Sequence, residues 1–331
     1  MALLLTEADV KSLLTMPVAL DCVQHSFQRL ANGSALLHSR QRLHLPSKSY
    51  LHYMAAADGT SGYLGLKIYT SSREGLRFLI TLFSAESGDL LALMEADFLG
   101  QMRTGAASGV ATRLLARQDA QTLGIVGTGL QARTQLQAIA QVRKLTEVRA
   151  FSRSAEKRDK FAREMTDALK IPVLSAHSAE AAVCDADLVV TSTTSTSPVI
   201  EGAGLKPGVH INAIGANFPQ KRELDRKAVE RCDVIAVDSR EQSKMEAGDL
   251  IHVFREDAQR WSNVRELADI VGGKVAGRTR ADEITLFKSN GIAIEDLVVA
   301  GRVFEMAQER RIGKDISMWQ SAETEKRIRT V

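Results

Sequence analysis

Three basic residues, of types that can bind a carboxylate, lie within predicted strands or helices: Arg42, Lys67 and Arg103. Arg42 lies in an alternating, strand-like run, and Lys67 lies in an otherwise apolar strand, where a lysine is unusual. Arg103 lies near the start of a helix rich in alanine and glycine. An arginine offers a rigid fork for a carboxylate, whereas a lysine offers a point charge that can also donate a proton. Taken singly, each residue could equally face solvent, cap a helix or form an ordinary ion pair.

A glycine-rich turn follows the apolar run Thr122–Val126 and opens a helical stretch. The order strand, GxGxxA, helix is typical of a dinucleotide-binding fold. Gly127 would make the tight turn, and Gly129 would let the backbone approach a pyrophosphate at the helix N-terminus. We therefore predict that the cofactor is bound by Gly127, Thr128, Gly129, Leu130, Gln131 and Ala132.

The end of the next strand, Glu147–Phe151, bears on the choice of nucleotide. In NAD-binding versions of this fold, an Asp or Glu about 20 residues beyond the glycine turn holds the ribose 2′-hydroxyl. Here the strand ends in Ser152, Arg153 and Ser154, which could bind a 2′-phosphate by hydrogen bonds and an ion pair, or form a solvated loop. We predict NADPH as the cofactor, with NADH as the alternative.

The elements that would position these residues fall into two patterns. After two helices, at the capping box of Thr6 and between Pro17 and Gly33, tight turns join strand-like runs and favour an antiparallel sheet. These runs are 41–45, 50–54, 63–69, 76–83 and 90–94, followed by a helix over 96–117. Strands and helices then alternate, which favours a doubly wound parallel sheet. Its predicted strands are Thr122–Val126, Glu147–Phe151, Leu188–Thr191, 209–214 and Val234–Val237.

The 331 residues suggest two domains, because single hydrophobic cores stop growing near about 250–300 residues. We predict an α/β protein with a Rossmann-type nucleotide domain over 119–290. A discontinuous α+β domain would combine 1–118 with 291–331. A helix over 291–310, with Gly313 as its C-cap, would complete that second domain, and we expect the polar tail 314–331 to be loosely held.

Composition excludes several classes of function. The net charge of +3, without a Lys/Arg run, argues against a nucleic-acid partner. The opening leucines are too few for a signal peptide or a membrane span, so we expect a cytoplasmic protein without a membrane partner. Three distant cysteines and seven histidines without paired spacing predict neither a disulfide framework nor a metal site.

Several segments, in order between about residues 40 and 310, resemble the ornithine cyclodeaminase/mu-crystallin family. This family also includes alanine dehydrogenases and cyclic ketimine reductases. The most specific segments are Met-Arg-Thr-Gly-Ala at 102–106 and Gly-Val-His-Ile-Asn-Ala-Ile-Gly-Ala-Asn at 208–217. The others are 41–46, 65–68, 127–132, 222–225 and 285–291.

The resemblance implies that Arg42, Lys67 and Arg103 surround the substrate carboxylate, with Lys67 and Arg103 also catalytic. It implies that the first domain, completed by the last helix, carries the substrate site and pairs two subunits into a homodimer. A serine- and threonine-rich run after Leu188–Thr191 would lie near the nicotinamide ribose, or it could be an ordinary polar loop. The further cofactor-binding residues are Thr191, Ser192, Thr193, Ile214, Gly215, Ser289 and Gly291.

One departure from the family pattern bears on the reaction. The cyclodeaminases that this chain resembles carry an Asp at the position of Asn217, which we assign to substrate binding. A neutral amide can neither act as a base nor attract an ammonium by charge. Asn217 therefore favours the ketimine reductase-like branch, and we predict NADPH-dependent reduction of the C=N bond of a cyclic imino acid. The substrate would be of the Δ1-pyrroline-2-carboxylate or Δ1-piperideine-2-carboxylate type.

Three alternatives stay open at this stage. They are reductive amination of a 2-oxo acid, as in alanine dehydrogenase, a cyclodeaminase that recycles NAD internally, and a binding protein without enzymatic activity. In the reductase interpretation, Lys67 protonates the imine or positions a water, and arginine neighbours would have to lower its pKa. The substrate side chain also stays open, because several residues could face the pocket: His44, Lys48, His52, Tyr53 and Arg73.

Overall fold

A computed structural model describes residues 1–47 and 49–318, which form two eight-stranded sheets with helices packed against them. The strands of the first sheet are β1 (Ala2–Leu5), β2 (Ala35–Leu37), β3 (Gln41–His44), β4 (Tyr50–Asp58), β5 (Tyr63–Ser72), β6 (Gly75–Ser84), β7 (Leu90–Glu95) and β16 (Lys314–Ile316). Their order is β16-β1-β7-β6-β5-β4-β2, with β3 paired to β4. All pairs are antiparallel except β1 with β7, so the predicted run of antiparallel strands is found.

The strands of the second sheet are β8 (Thr122–Val126), β9 (Glu147–Phe151), β10 (Val173–Ser175), β11 (Leu188–Thr191), β12 (His210–Ala213), β13 (Val234–Val237), β14 (Arg265–Glu266) and β15 (Thr285–Lys288). All pairs are parallel, in the order β10-β9-β8-β11-β12-β15-β13-β14. Strands β11, β12 and β15 are buried at every residue because helices cover both faces of the sheet. The winding direction reverses between β8 and β11, and ligands of such sheets bind at this switch point. The α/β fold class is therefore as predicted.

The helices are α1 (Glu7–Leu13), α2 (Met16–Ala31), α3 (Asp97–Leu115), α4 (Leu130–Val142), α5 (Ala155–Leu169), α6 (Ala179–Val183), α7 (Arg226–Glu230), α8 (Arg240–Glu246), α9 (Gly248–Phe254), α10 (Leu267–Val271) and α11 (Ala293–Arg310). Two 3₁₀ turns lie at Gly202–Gly204 and Ala258–Asn263. Within residues 1–47 and 49–318, no helix is both long enough and apolar enough to cross a membrane.

Helices α3 and α11 bring distant parts of the chain together. Helix α3 packs closely on α4 because Gly105 faces the backbone of Thr134, where any side chain would collide. Helix α11 packs on β5 in the same way, with Leu297 occupying the space that a side chain at Gly65 would need. This close packing fixes the positions of the N-terminal halves of both helices.

The structure differs from the sequence prediction at the C-terminal end. Helix α11 ends at Arg310 and its C-cap is Arg311, which adopts a left-handed conformation with φ of 57°, so the prediction of Gly313 as the C-cap is wrong. Residues 314–316 of the tail that we expected to be loose form β16, an edge strand paired antiparallel with β1. The remainder of that prediction, residues 319–331, lies outside the described residues.

Candidate active site

A cavity of about 420 Å³ lies between the inner face of β4–β6 and the carboxyl edge of the parallel sheet. Helix α3 contributes to its wall, as do the loops after β11, β12 and β15. Ten of the residues proposed from the sequence line this one cavity: Lys67, Arg103, Asn217, Gln131, Ser192, Thr193, Ile214, Gly215, Ser289 and Gly291. The proposed substrate and cofactor residues therefore face each other across a shared space.

Lys67 and Arg103 share one carboxylate. Asp296 Oδ1 accepts a hydrogen bond from Lys67 Nζ at 2.7 Å and another from Arg103 Nε at 3.0 Å. Arg103 Nη1 also donates to Glu295 Oε2 at 2.9 Å. All four side chains are buried, and the two acids occupy the first turn of α11. The cations that the sequence singled out thus have buried acidic partners from the far end of the chain.

Burial and these partners shift the proton affinities of the cluster. Burial lowers the pKa of Lys67 to about 8, although the charge of Asp296 acts in the opposite direction and Arg103 adds to the lowering. Burial also raises the pKa of Glu295 to about 8, against the opposing effect of Arg103. For Arg103, burial favours the neutral form, but Asp296 and Glu295 outweigh it and raise the pKa. Lys67 is therefore the cation of this cluster that can release a proton near neutral pH.

Arg42 is close to the cavity but is not among the residues that line it. It forms an ion pair with Glu246 Oε1 at 2.6 Å and donates a hydrogen bond to the Asn217 carbonyl at 3.2 Å, and its guanidinium lies 4.5 Å from the centre of the Phe218 ring. A second arginine lines the cavity instead: Arg40 donates to Glu246 Oε2 at 2.6 Å. Arg42 thus ties β3 to the loop that carries Asn217, and Arg40 supplies the positive charge at the cavity wall.

Stacked rings form the wall of the cavity on the sheet side. The centres of the His52 and Tyr69 rings are 4.2 Å apart and the ring planes are nearly parallel, and Tyr69 stacks on Phe78 at 4.8 Å. Burial lowers the pKa of His52 to about 4, and Arg42 and Arg40 add to this effect. His52 is therefore a neutral hydrogen-bonding group, with Nε2 at 3.2 Å from Ser71 Oγ.

Of the five residues considered for the substrate side chain, only His52 is among the residues that line the cavity. His44, Tyr53 and Arg73 are not among them, and Lys48 lies outside the described residues. Besides Lys67 and Arg103, the basic residues that line the cavity are Arg40 and Lys221.

The glycine turn has the geometry that a dinucleotide requires. Gly127 has φ of 104°, and a side chain there would lie 2.5 Å from the Ser192 carbonyl, so only glycine fits. Gly129 is the N-cap of α4, and a side chain built there would meet no atom within 4 Å. The space before the helix N-terminus is therefore open to an anionic group, as phosphate binding at a helix end needs.

The tip of β9 presents hydroxyl groups and an arginine. Ser152 Oγ accepts from Thr128 Oγ1 at 2.9 Å, which joins the glycine turn to the end of β9. Ser154 caps α5 by accepting from the Lys157 N–H at 3.3 Å. Arg153 is exposed, and in the described chain it forms no ion pair. These residues leave a basic, hydroxyl-lined surface without a carboxylate where the adenine ribose would lie.

Sequence reasoning missed Glu223, which fixes two of the proposed cofactor loops. This fully buried carboxylate accepts from Thr191 Oγ1 at 2.9 Å, from the Thr193 N–H at 2.5 Å and from the Gly215 N–H at 2.8 Å. Asp249 Oδ1 in turn accepts a hydrogen bond from the Glu223 backbone N–H at 2.6 Å. The loops after β11 and β12 are thereby locked together, which explains how residues far apart in sequence form one wall of the cavity.

A second missed carboxylate, Asp238, fixes the loop after β15. Its Oδ2 accepts from Ser289 Oγ at 3.0 Å, the Asn290 N–H at 2.7 Å and the Gly291 N–H at 2.6 Å. Gly291 has φ of 77°, and a side chain there would collide with the Arg103 guanidinium. Across the described residues, no group of three or more His, Cys, Asp or Glu side chains is placed to hold a metal ion.

Comparisons with known proteins identify the family of this chain. Residues 1–311 match the model of the ornithine cyclodeaminase/mu-crystallin family. A Δ1-pyrroline-2-carboxylate reductase of Bacillus cereus is 38% identical, with the match covering 76% of this chain and 80% of the relative.

Two solved structures cover nearly the whole chain. The Thermococcus litoralis Δ1-pyrroline-2-carboxylate reductase, in complex with NADH and L-proline, superposes with a TM-score of 0.91 at 36% identity, covering 95% of this chain and 100% of that one. An archaeal alanine dehydrogenase dimer with bound NAD gives 0.90 at 32% identity, covering 96% and 99%. The relatives confirm the predicted family, fold and oxidoreductase class. The chain belongs to the ornithine cyclodeaminase/mu-crystallin family.

Proposed function

We propose that the protein reduces the C=N bond of a cyclic imino acid, of the Δ1-pyrroline-2-carboxylate or Δ1-piperideine-2-carboxylate type, to the cyclic L-amino acid with NADPH. The observation that carries this proposal is the placement of Lys67 and Arg103 in one cavity with Asn217, opposite the loops proposed to hold the nicotinamide. The cavity offers positive charge for a carboxylate and a lysine that can donate a proton. The similarity to two Δ1-pyrroline-2-carboxylate reductases supports the same substrate class.

In this proposal Arg103, Lys67 and Arg40 hold the substrate carboxylate through charge-assisted hydrogen bonds. The reduced nicotinamide, when bound, supplies a hydride to the imine carbon. Lys67 Nζ gives a proton to the imine nitrogen, so the C=N double bond becomes an N–H and a C–H bond. The stacked wall of His52, Tyr69 and Phe78 restricts the substrate ring, and such positioning supplies much of the rate.

Reductive amination of a 2-oxo acid is the second candidate, favoured by the fold similarity to alanine dehydrogenase. A cyclodeaminase is disfavoured because Asn217 lines the cavity where a carboxylate would be needed. A single assay separates these activities: NADPH oxidation with cyclic imines, with 2-oxo acids plus ammonia, and with ornithine. We expect oxidation with the cyclic imines. Proline formation from ornithine without net NADPH oxidation would identify a cyclodeaminase and overturn the proposal.

The preference for NADPH rests on Arg153 and on the absence of a carboxylate at the tip of β9. We expect kcat/KM to be higher with NADPH than with NADH, and Arg153→Ala to lower this ratio by about tenfold, the value of one charge-assisted hydrogen bond. Arg163→Ala, at an exposed position on α5, is the matched control and should leave the ratio unchanged. A wild-type preference for NADH would contradict the NADPH proposal.

We propose that the protein forms a homodimer through the outer face of the first sheet, within the proposed discontinuous domain. Alternate residues of β3 to β6 place large apolar side chains on this face, where solvent reaches them: Leu43, Leu51, Leu64 and Leu79. A monomer rarely exposes an apolar patch of this kind, and covering it with a second copy removes it from water. The alanine dehydrogenase neighbour is a dimer, which supports the proposal.

Leu64→Asp should convert the dimer to a monomer, because the substitution places a charge in the apolar centre of the proposed interface. The matched control is Leu174→Asp, since Leu174 is 49% exposed and Leu64 is 40% exposed, but Leu174 lies on β10 of the other sheet. Light scattering coupled to size-exclusion chromatography measures the mass of each variant. An unchanged dimer in Leu64→Asp would place the interface elsewhere.

A further inference from the structure

Asp296 contacts both Lys67 and Arg103, the cations of the buried cluster, but does not line the cavity. It is 1% exposed and is not among the residues that line the cavity, whereas Lys67 and Arg103 both line it. Its Oδ1 bridges Lys67 Nζ and Arg103 Nε at 2.7 and 3.0 Å. The carboxylate thus contacts both cavity-lining cations without itself lining the cavity.

We propose that Asp296 is a positioning residue that holds the Lys67 ammonium toward the substrate nitrogen and keeps it protonated until the imine takes its proton. This inference rests on the proposed reductase function, because it gives Lys67 the role of proton donor. Asp296 itself transfers no proton in the step.

The groups that face Lys67 show why a negative charge is needed there. Helix α3 contributes Arg103 and, farther away, Asp97, and the segment before β3 contributes Arg40. The Phe78 ring on β6 lies 5.3 Å from Nζ, and α11 contributes Asp296. Burial and both arginines disfavour the charged lysine, whereas Asp296 is the contact that favours it. Without Asp296, Lys67 would lose its proton at a lower pH and fail as a donor.

The proton balance is simple. As hydride reaches the imine carbon, Lys67 gives one proton to the nitrogen and becomes a neutral amine. The amine then takes one proton from water, and the negative charge of Asp296 favours this return. The cycle therefore needs no further proton donor within the cluster.

Glu295 provides a matched comparison because it is the adjacent residue, is equally buried and carries the same kind of group. It pairs with Arg103 Nη1 at 2.9 Å and makes no contact with Lys67 among the described hydrogen bonds and ion pairs. Changing Glu295 to Gln thus removes a carboxylate from the same turn of α11 without removing the partner of the lysine.

The test measures kcat/KM for Δ1-pyrroline-2-carboxylate as a function of pH, with NADPH saturating. In the wild type the activity should fall as pH rises through about 8, where Lys67 deprotonates. Asp296→Asn should move this falling limb down by about 1–3 pH units, the effect of one opposite charge at close range. Glu295→Gln should leave the limb in place. A uniform loss of activity in Asp296→Asn, with the limb unmoved, would show a purely structural role and overturn the inference.

A second variant and a binding measurement separate the positioning role from a loss of folding and from the proposed reaction. If Asp296→Asn is insoluble, Asp296→Ser removes the same charge with a smaller side chain and gives the same comparison. The binding measurement is the affinity for pyrrole-2-carboxylate, a planar carboxylate that is not reduced, measured by calorimetry as a function of pH. This affinity depends on the charge of Lys67 and requires no turnover. Absence of turnover on every cyclic imine would reject the proposed function alone. If the affinity for pyrrole-2-carboxylate falls over the same pH range in wild type and in Asp296→Asn, the positioning role is rejected.

Discussion

Lys67→Met is expected to lower kcat by about 10²- to 10⁴-fold, the usual contribution of a general acid, while NADPH binding is nearly unchanged. The reason is geometric: Lys67 lines the cavity, whereas Gly127 and Gly129 of the turn that would hold the dinucleotide are not among the residues that line it. Methionine keeps the unbranched stem, so the strand packing is preserved. Asp296 also keeps its bond to Arg103 Nε, so its charge is not left without a partner. Steady-state kinetics and fluorescence titration of NADPH measure the two effects separately.

The matched control is Lys160→Met, which makes the same substitution on the exposed face of α5 and should leave both quantities unchanged. Turnover by Lys67→Met at the wild-type rate would remove Lys67 from the mechanism. A parallel loss of NADPH binding would instead show that the substitution disturbs the whole cavity rather than the proton transfer.

Much of the fold follows from local pattern. Strands β8, β9 and β13 have the predicted bounds because β8 and β13 are short, mostly apolar runs and β9 alternates charged and apolar residues, and both patterns are typical of strands. The pattern does not predict β1, β16 or β15 as strands. Strand β16 is an edge strand, β1 lies between β16 and β7, and both pair only with distant partners, whereas β15 is a fully buried strand within the family segment 285–291. Propensity alone cannot identify elements whose stability comes from pairing across the chain.

In the candidate site, too, the sequence predicts individual residues but not their long-range partners. The sequence pointed to Lys67 and Arg103 because basic residues in apolar surroundings are unusual and because they match the family pattern. It gave no indication of Asp296, which lies 229 positions from Lys67 in the chain. The sequence predicts that arginine neighbours lower the pKa of the lysine, but burial is the larger cause of the lowering, and Asp296 opposes it. Such long-range partners are visible only once α3 and α11 are packed together.

The acidic partners also change what is expected of Arg103. The sequence predicts an Arg103 guanidinium that is available to bind a carboxylate. In the structure its Nε and Nη1 already donate hydrogen bonds to Asp296 and Glu295. Among the hydrogen bonds of the described chain, Nη2 is the guanidinium nitrogen without a protein acceptor. Replacing Arg103 by alanine would leave the buried Glu295 without a counter-charge and Asp296 with Lys67 as its cation, which costs about 3–5 kcal/mol, so lost folding would obscure any effect on binding.

Arg103→Lys is the sharper test of the carboxylate clamp. It keeps one positive charge near Glu295 and Asp296 but removes the planar group that can reach both acids and the substrate together. The loss of one charge-assisted hydrogen bond, about 1.5–3 kcal/mol, should raise KM for the imino acid roughly 10- to 100-fold, with a smaller change in kcat. Arg302→Lys, at a partly exposed position on α11, is the matched control and should leave KM unchanged.

A substrate without a carboxylate separates the clamp from a general disturbance of the cavity. With Δ1-pyrroline, which keeps the ring and the C=N bond, wild type and Arg103→Lys should have similar kcat/KM, because the group that Arg103 binds is missing. The two enzymes should therefore differ only on the carboxylated ring. Equal KM values for the imino acid, at an unchanged melting temperature, would mean that the substrate carboxylate is held by other cations of the cavity, such as Arg40 or Lys221.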